Sequence, residues 1–283
     1  MKFGIVYHTS FLGAGPEHVA GTARHAEQCG FESFFTPEHI ALYPGATLGR
    51  NVIPPDTPIA DPLEVLSFVA AVTERIILGT AVLLLPFHQP VVLAKRLATI
   101  DQLSRGRMRL LTVGVGALPG EAEAAGVDFR TRGRRADEAI DVLRLLWAGD
   151  ETGVSFDGQF YSFTSLCSFP KPYQATTLPI HVGGSSPAAA RRAGLRGDGY
   201  FPGGMTAADR AAQLDLMRRT ARDAGRDPGA LEYTRWGNIG ASPGEVAALA
   251  AEGVTRLVVS PTTADPAEQR RELTAFAERH GLS

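Results

Sequence analysis

Four stretches of this sequence carry residue types able to bind or react with a small molecule, each at the end of an apolar run. In Thr36-Pro37-Glu38-His39 an imidazole that titrates near neutral pH stands beside a carboxylate, the makings of a proton-transfer or hydrogen-bonding pair. A solvent-facing loop histidine is the plainer alternative. In Leu78-Gly79-Thr80-Ala81-Val82 the small side chains would let a flat ligand approach the backbone, although an ordinary buried strand reads the same way. His181-Val182-Gly183-Gly184-Ser185-Ser186-Pro187 is a glycine turn running into a helix, with serine at the cap and proline in the first turn. Its free N–H groups and helix dipole suit a phosphate, unless it is simply a tight turn. His181, two residues inside its strand, reads as core.

The fourth stretch, Gly114-Val115-Gly116-Ala117-Leu118-Pro119-Gly120-Glu121, invites comparison with a dinucleotide fingerprint. The third glycine comes one place late and Pro119 interrupts a clean helix start, so the fingerprint fails. What remains is a glycine loop, Gly114 and Gly116, exposing backbone at a strand end. The sequence has no His-x-His on its first strand, no His-Glu-x-x-His, no Gly-x-Ser-x-Gly and no phosphate loop ending in Gly-Lys-Ser/Thr, so no metal is expected.

The elements that must position these residues alternate along the chain. Strands are predicted at Phe3–His8, Ser33–Thr36, Ile76–Leu84, Met108–Val115, Pro179–Val182, Tyr200–Pro202, Leu231–Trp236 and Arg256–Ser260. Several are apolar throughout, as strands covered on both faces are. Helices are predicted at Pro16–Gln28, Leu63–Thr73, Pro90–Leu103, Arg134–Trp147, Pro187–Leu195, Ala207–Ala224, Pro243–Ala251 and Pro266–His280. Most open at a proline, which is at home in a first helical turn. Eight strand–helix units predict an α/β fold, a single (β/α)8 TIM barrel over residues 1–283. A doubly wound open sheet is disfavoured because no second domain is left over. A long loop, Leu42–Ile59, follows strand 2, and Val154–Phe163 reads as a small inserted β-hairpin around its Asp-Gly turn. Both are expected to wall the substrate pocket. Active-site groups of such barrels gather where strands end, which is where all four stretches lie.

Composition bounds the partners. The 283 residues are 44% hydrophobic, with 28 basic against 30 acidic side chains, enough for a large core and without the Lys/Arg surplus that nucleic acid demands. No run reaches the ~18 apolar residues of a membrane span, and the two cysteines, Cys29 and Cys167, are expected as free thiols. The expectation is a cytoplasmic protein with a small-molecule substrate and neither nucleic-acid nor membrane partners.

Together the motifs resemble the luciferase-like monooxygenase superfamily, within it the coenzyme F420-dependent oxidoreductases. The resemblance is carried by Gly30 to His39, Leu78 to Val82, Ala94 to Arg107, Val113 to Gly116, Arg132 to Glu138, Val182 to Ser186 and Gly197 to Tyr200, in shared order up to about residue 204. It implies a barrel that holds a deazaflavin or isoalloxazine ring at its mouth, with Thr80, Ala81, Val82, Gly114 and Gly116 beneath it and a non-prolyl cis peptide at Ala81-Val82. It implies a phosphate on Gly183, Gly184, Ser185 and Ser186, and a homodimer. His39 would serve the reactive face, with Glu38 orienting it or contacting the cofactor. The chemistry implied is hydride transfer between coenzyme F420 and a small organic substrate. The alternatives are an FMN-dependent two-component monooxygenase and a non-catalytic ligand-binding barrel. Sugar-phosphate dehydrogenases of this branch carry an acid directly after the Gly-Val-Gly run; Ala117 stands there here, and Glu121 aligns with a structural glutamate.

Overall fold

A computed structural model describes residues 1–282. Its strands are β1 (Lys2–Val6), β2 (Ser33–Thr36), β3 (Thr47–Leu48), β4 (Asn51–Val52), β5 (Ile77–Leu84), β6 (Met108–Gly114), β7 (Val154–Asp157), β8 (Ser162–Leu166), β9 (Ile180–Gly183), β10 (Gly199–Phe201), β11 (Glu232–Trp236) and β12 (Arg256–Val259). Eight of them pair in parallel, in the order β1-β12-β11-β10-β9-β6-β5-β2, and close into the expected barrel. The helices are α1 (Thr9–Leu12), α2 (Pro16–Gln28), α3 (Pro62–Val72), α4 (Pro90–Leu103), α5 (Pro119–Ala124), α6 (Arg132–Ala148), α7 (Pro187–Arg196), α8 (Ala207–Asp223), α9 (Pro243–Ala251) and α10 (Pro266–His280).

Strand alternation sends side chains either into the barrel or outward to the helix layer. Inside the barrel Val6, Phe35, Ala81, Leu110, Phe201 and Val258 pack together, with the Phe201 and Trp236 rings 4.6 Å apart. Gly79 makes room for this plug: a Cβ there would lie 2.6 Å from the Phe35 ring. Outward-facing Ile5, Phe34, Leu78 and Leu111 meet the helix layer in the larger core.

Three local features depart from expectation. Pro119 does not interrupt a helix but opens one, α5, because a residue without an N–H loses nothing in a first turn. The long loop contains the two-residue ribbon β3–β4, too short to show any period. The β7–β8 hairpin forms as expected but does not wall the pocket. It packs on the outside of α6, where Glu138 accepts hydrogen bonds from the Gln159 and Phe160 N–H groups at 2.9 Å, and Arg135 lies over the Phe160 ring.

Candidate active site at the barrel mouth

A cleft of about 550 Å³ opens at the C-terminal ends of β1, β2, β5, β6 and β9. That is within the common range for small-molecule sites. Its floor is the bulge in β5. The Ala81-Val82 peptide is cis, as the resemblance implies, and the pairing of β5 with β6 slips there from Ala81↔Thr112 to Leu83↔Val113. Val82 is thereby set between two bare backbones. A Cβ on Gly114 or on Gly183 would come within 2.5 Å of its methyl groups.

The structure redistributes the expected floor residues. Ala81, Val82, Gly114, Gly116 and Gly184 line the cleft. Thr80 does not. It shares the outward face of β5 with Leu78, is fully buried, and donates its hydroxyl hydrogen to the Thr112 carbonyl at 2.8 Å. Gly183 is also absent from the lining, since its empty Cβ position is taken by Val82. Ser185 and Ser186 are exposed beside the cleft rather than in its wall. The Ser186 hydroxyl caps α7, accepting from the Ala189 N–H at 3.2 Å, so it is already engaged.

Glu38 and His39 both border the cleft, yet they do not act on each other. The Glu38 carboxylate, 3% exposed, accepts the Leu84 N–H at 2.5 Å and lies 2.9 Å from His88 Nε2. In this structure Glu38 does not hold His39: the β5 backbone and His88 occupy its oxygens. The acid that holds His39 is Glu121, in the first turn of α5. Fully buried, it lies 3.1 Å from His39 Nδ1 and accepts the Ile40 N–H at 2.6 Å. An ionised carboxylate here accepts from Nδ1–H and leaves Nε2 as the nitrogen without a partner among the described residues. From the sequence alone Glu121 reads as structural. Its position three residues into a helix that opens at a proline was the available signal.

His8 is a second imidazole that sequence reading passed over. It follows β1 and lines the cleft, and burial lowers its pKa below the usual histidine value, which keeps the ring neutral at pH 7. The long loop supplies the wall expected of it through Leu48, Ile53, Thr57 and Ile59. His181 is core, 3% exposed, at the opposite end of the barrel.

Comparison with known proteins adds the following. The luciferase-like monooxygenase family profile matches residues 1–283. An uncharacterised protein of Mycobacterium tuberculosis (strain ATCC 25618 / H37Rv) is 38% identical over 192 residues, 65% of this chain and 65% of that one. The F420-dependent glucose-6-phosphate dehydrogenase of Microbacterium testaceum is 33% identical over 205 residues, 71% of this chain and 56% of the enzyme. The chain thus spans less than two thirds of the length of either relative. The fold is shared with monooxygenase RslO1 from Streptomyces bottropensis, at TM-score 0.80 and 24% identity, covering 99% of this chain and 98% of that one.

Proposed function

This chain belongs to the luciferase-like monooxygenase family, and from that premise we propose that it is an oxidoreductase moving hydride between coenzyme F420 and a small organic substrate. The observation that carries the reading is the pairing of a side-chain-poor floor (Ala81, Val82, Gly114, Gly116, Gly184) with a carboxylate-held imidazole, His39–Glu121, in one cleft. A planar ring needs a backbone-lined surface, and small residues and glycines supply it. The turn at Gly184 and Ser185, ahead of the N-terminus of α7, suits the anionic tail. Two relatives named for F420 dependence, 33% and 34% identical over 71% of this chain, favour the deazaflavin over FMN.

When bound, a deazaflavin supplies a carbon that accepts or releases hydride. The chain's own contribution is positional. Val82, Gly114 and Gly116 would hold the ring, and the loop wall at Leu48, Ile53 and Ile59 would limit water. His39 Nε2 takes the proton from, or returns it to, the substrate atom that changes charge, while Glu121 keeps Nδ1 protonated and the ring fixed.

Titrating the purified chain separately with coenzyme F420 and with FMN, followed by fluorescence, tests this. Saturable F420 binding without FMN binding is expected. Binding of FMN alone would move the chain to the oxygen-using alternative, and binding of neither would leave a ligand-binding barrel.

A further inference from the structure

The outer wall of the barrel carries a second cavity, of about 370 Å³, which shares no lining residue with the cleft at the mouth. One face of α8 lines it, because Ala207, Arg210, Leu214 and Arg218 recur at intervals of three and four residues. Tyr233 of β11 and Glu252, which caps the end of α9, complete the wall.

The charges around this cavity are poorly matched. On the neighbouring helix α7 the arginines that face α6 each have a carboxylate: Arg192 takes Asp137 at 2.7 Å and Arg196 takes Asp141 at 3.0 Å. On α8 the pairing goes elsewhere. Asp215, also in the wall, is taken by Arg219, which leaves Arg218 without an ion pair among the described residues. Arg210 donates from Nη1 to the Met205 carbonyl, and its buried Nε has no partner. Glu252 stands 3.9 Å from Arg235, whose buried Nη1 likewise lacks a hydrogen bond. Tyr233 is 3% exposed, and its hydroxyl finds no partner among the described residues. Two guanidinium groups and a buried phenol thus offer donors to one cavity, with Glu252 the carboxylate left to oppose them. Buried polar groups ordinarily have partners. Charged donors left over in a cavity call for an anionic acceptor that the chain does not supply.

We infer that this cavity is a second ligand site, for a small organic anion with two acidic groups. Arg210 and Arg218 stand eight residues apart on α8, about 12 Å along the helix axis. An open-chain dicarboxylate sets one carboxylate at each guanidinium fork, which is shaped to bind it through parallel N–H···O bonds. Leu214, midway between the two, meets the methylene chain, and Tyr233 donates its O–H to a carboxylate oxygen. Nothing in this assignment depends on the cofactor at the barrel mouth.

Isothermal titration calorimetry of the purified chain with adipate at low salt tests the site, with acetate as the single-carboxylate control. One saturable site of millimolar or tighter affinity is expected for adipate, and none for acetate over the same range. Arg210→Gln and Arg218→Gln should each weaken adipate by about fivefold. Glu252→Gln removes the opposing charge and should tighten adipate by about twofold or more, a gain that a misfolded variant would not show. Added coenzyme F420 should leave the adipate affinity unchanged. Absence of saturable adipate binding, equal binding of acetate, or indifference to the three substitutions overturns the site. Displacement of adipate by F420 overturns it as well, by moving the anion to the turn at Gly184 and Ser185.

Discussion

Adjacent residues Glu38 and His39 end up in different pairs, and that division defines the site. Glu38 turns to the β5 backbone and His88, while His39 turns to Glu121, 82 residues away. Their neighbouring positions in the sequence suggested an acid–imidazole pair, and the residue types were right. The partner was illegible because it depends on β6 lying two strands from β2 in the barrel, which brings the start of α5 over the end of β2. Two outcomes follow for turnover measured with saturating F420. His39→Ala should lower it by about 10²–10⁴, the usual contribution of a general acid or base, with F420 affinity within twofold. Glu121→Gln keeps an acceptor for the Ile40 N–H but removes the charge behind Nδ1, and should cost about 10–10², less than loss of the imidazole. Equal turnover of the His39 variant and the parent protein would remove His39 from the chemistry.

At the scale of elements, helices and barrel strands were readable to within a few residues because their ends are written in local chemistry. Prolines open α2, α4, α9 and α10 where the sequence placed them, and Asp61 caps α3 by accepting from the Leu63 and Glu64 N–H groups. The two-residue strands of the loop and the four-residue α1 contain no period to read, although the loop does wall the cleft. The glycines near the floor look like phosphate or cofactor contacts in sequence. In the structure Gly114 and Gly183 serve first to accommodate Val82. Gly183→Ala should therefore displace Val82, destabilise the protein by about 1–3 kcal/mol and weaken F420 binding. Gly204→Ala, where a Cβ meets nothing within 4 Å, should change neither. Urea unfolding and F420 titration of the two variants check this; equal behaviour would mean that Val82 does not depend on the bare backbone at Gly183.

Across the whole molecule the two ends of the barrel are built for different purposes. The mouth is largely apolar, and the opposite end is lined by charge, around a smaller cavity of about 280 Å³. There Arg256, 1% exposed, pairs with Glu32 and with Glu232 at 2.5–2.8 Å. His181 lies among these groups, its Nε2 3.8 Å from Glu232, with Arg256, Asp198 and Glu32 also acting on it. The carboxylates favour protonation, but burial outweighs them and holds the His181 pKa at about 4. In Glu232 the balance is reversed: burial opposes ionisation, and the bonds from Arg256 and Lys2 prevail, lowering its pKa to about 2. Both folded values lie below the unfolded ones, so the unfolded chain binds more protons in acid, and stability falls as pH falls. The His181 share is complete above about pH 6.5 and is lost down to about pH 4; the Glu232 share is lost between about 4.5 and 2. A shift of this size in His181 amounts to about 3 kcal/mol. Urea unfolding at pH 7 and pH 4.5 should show most of that loss in the parent protein, and His181→Asn should flatten the slope over this interval while leaving the steeper decline below it. A pH-independent midpoint from 7 to 4.5 would mean that this end of the barrel is hydrated enough to protonate His181 without penalty.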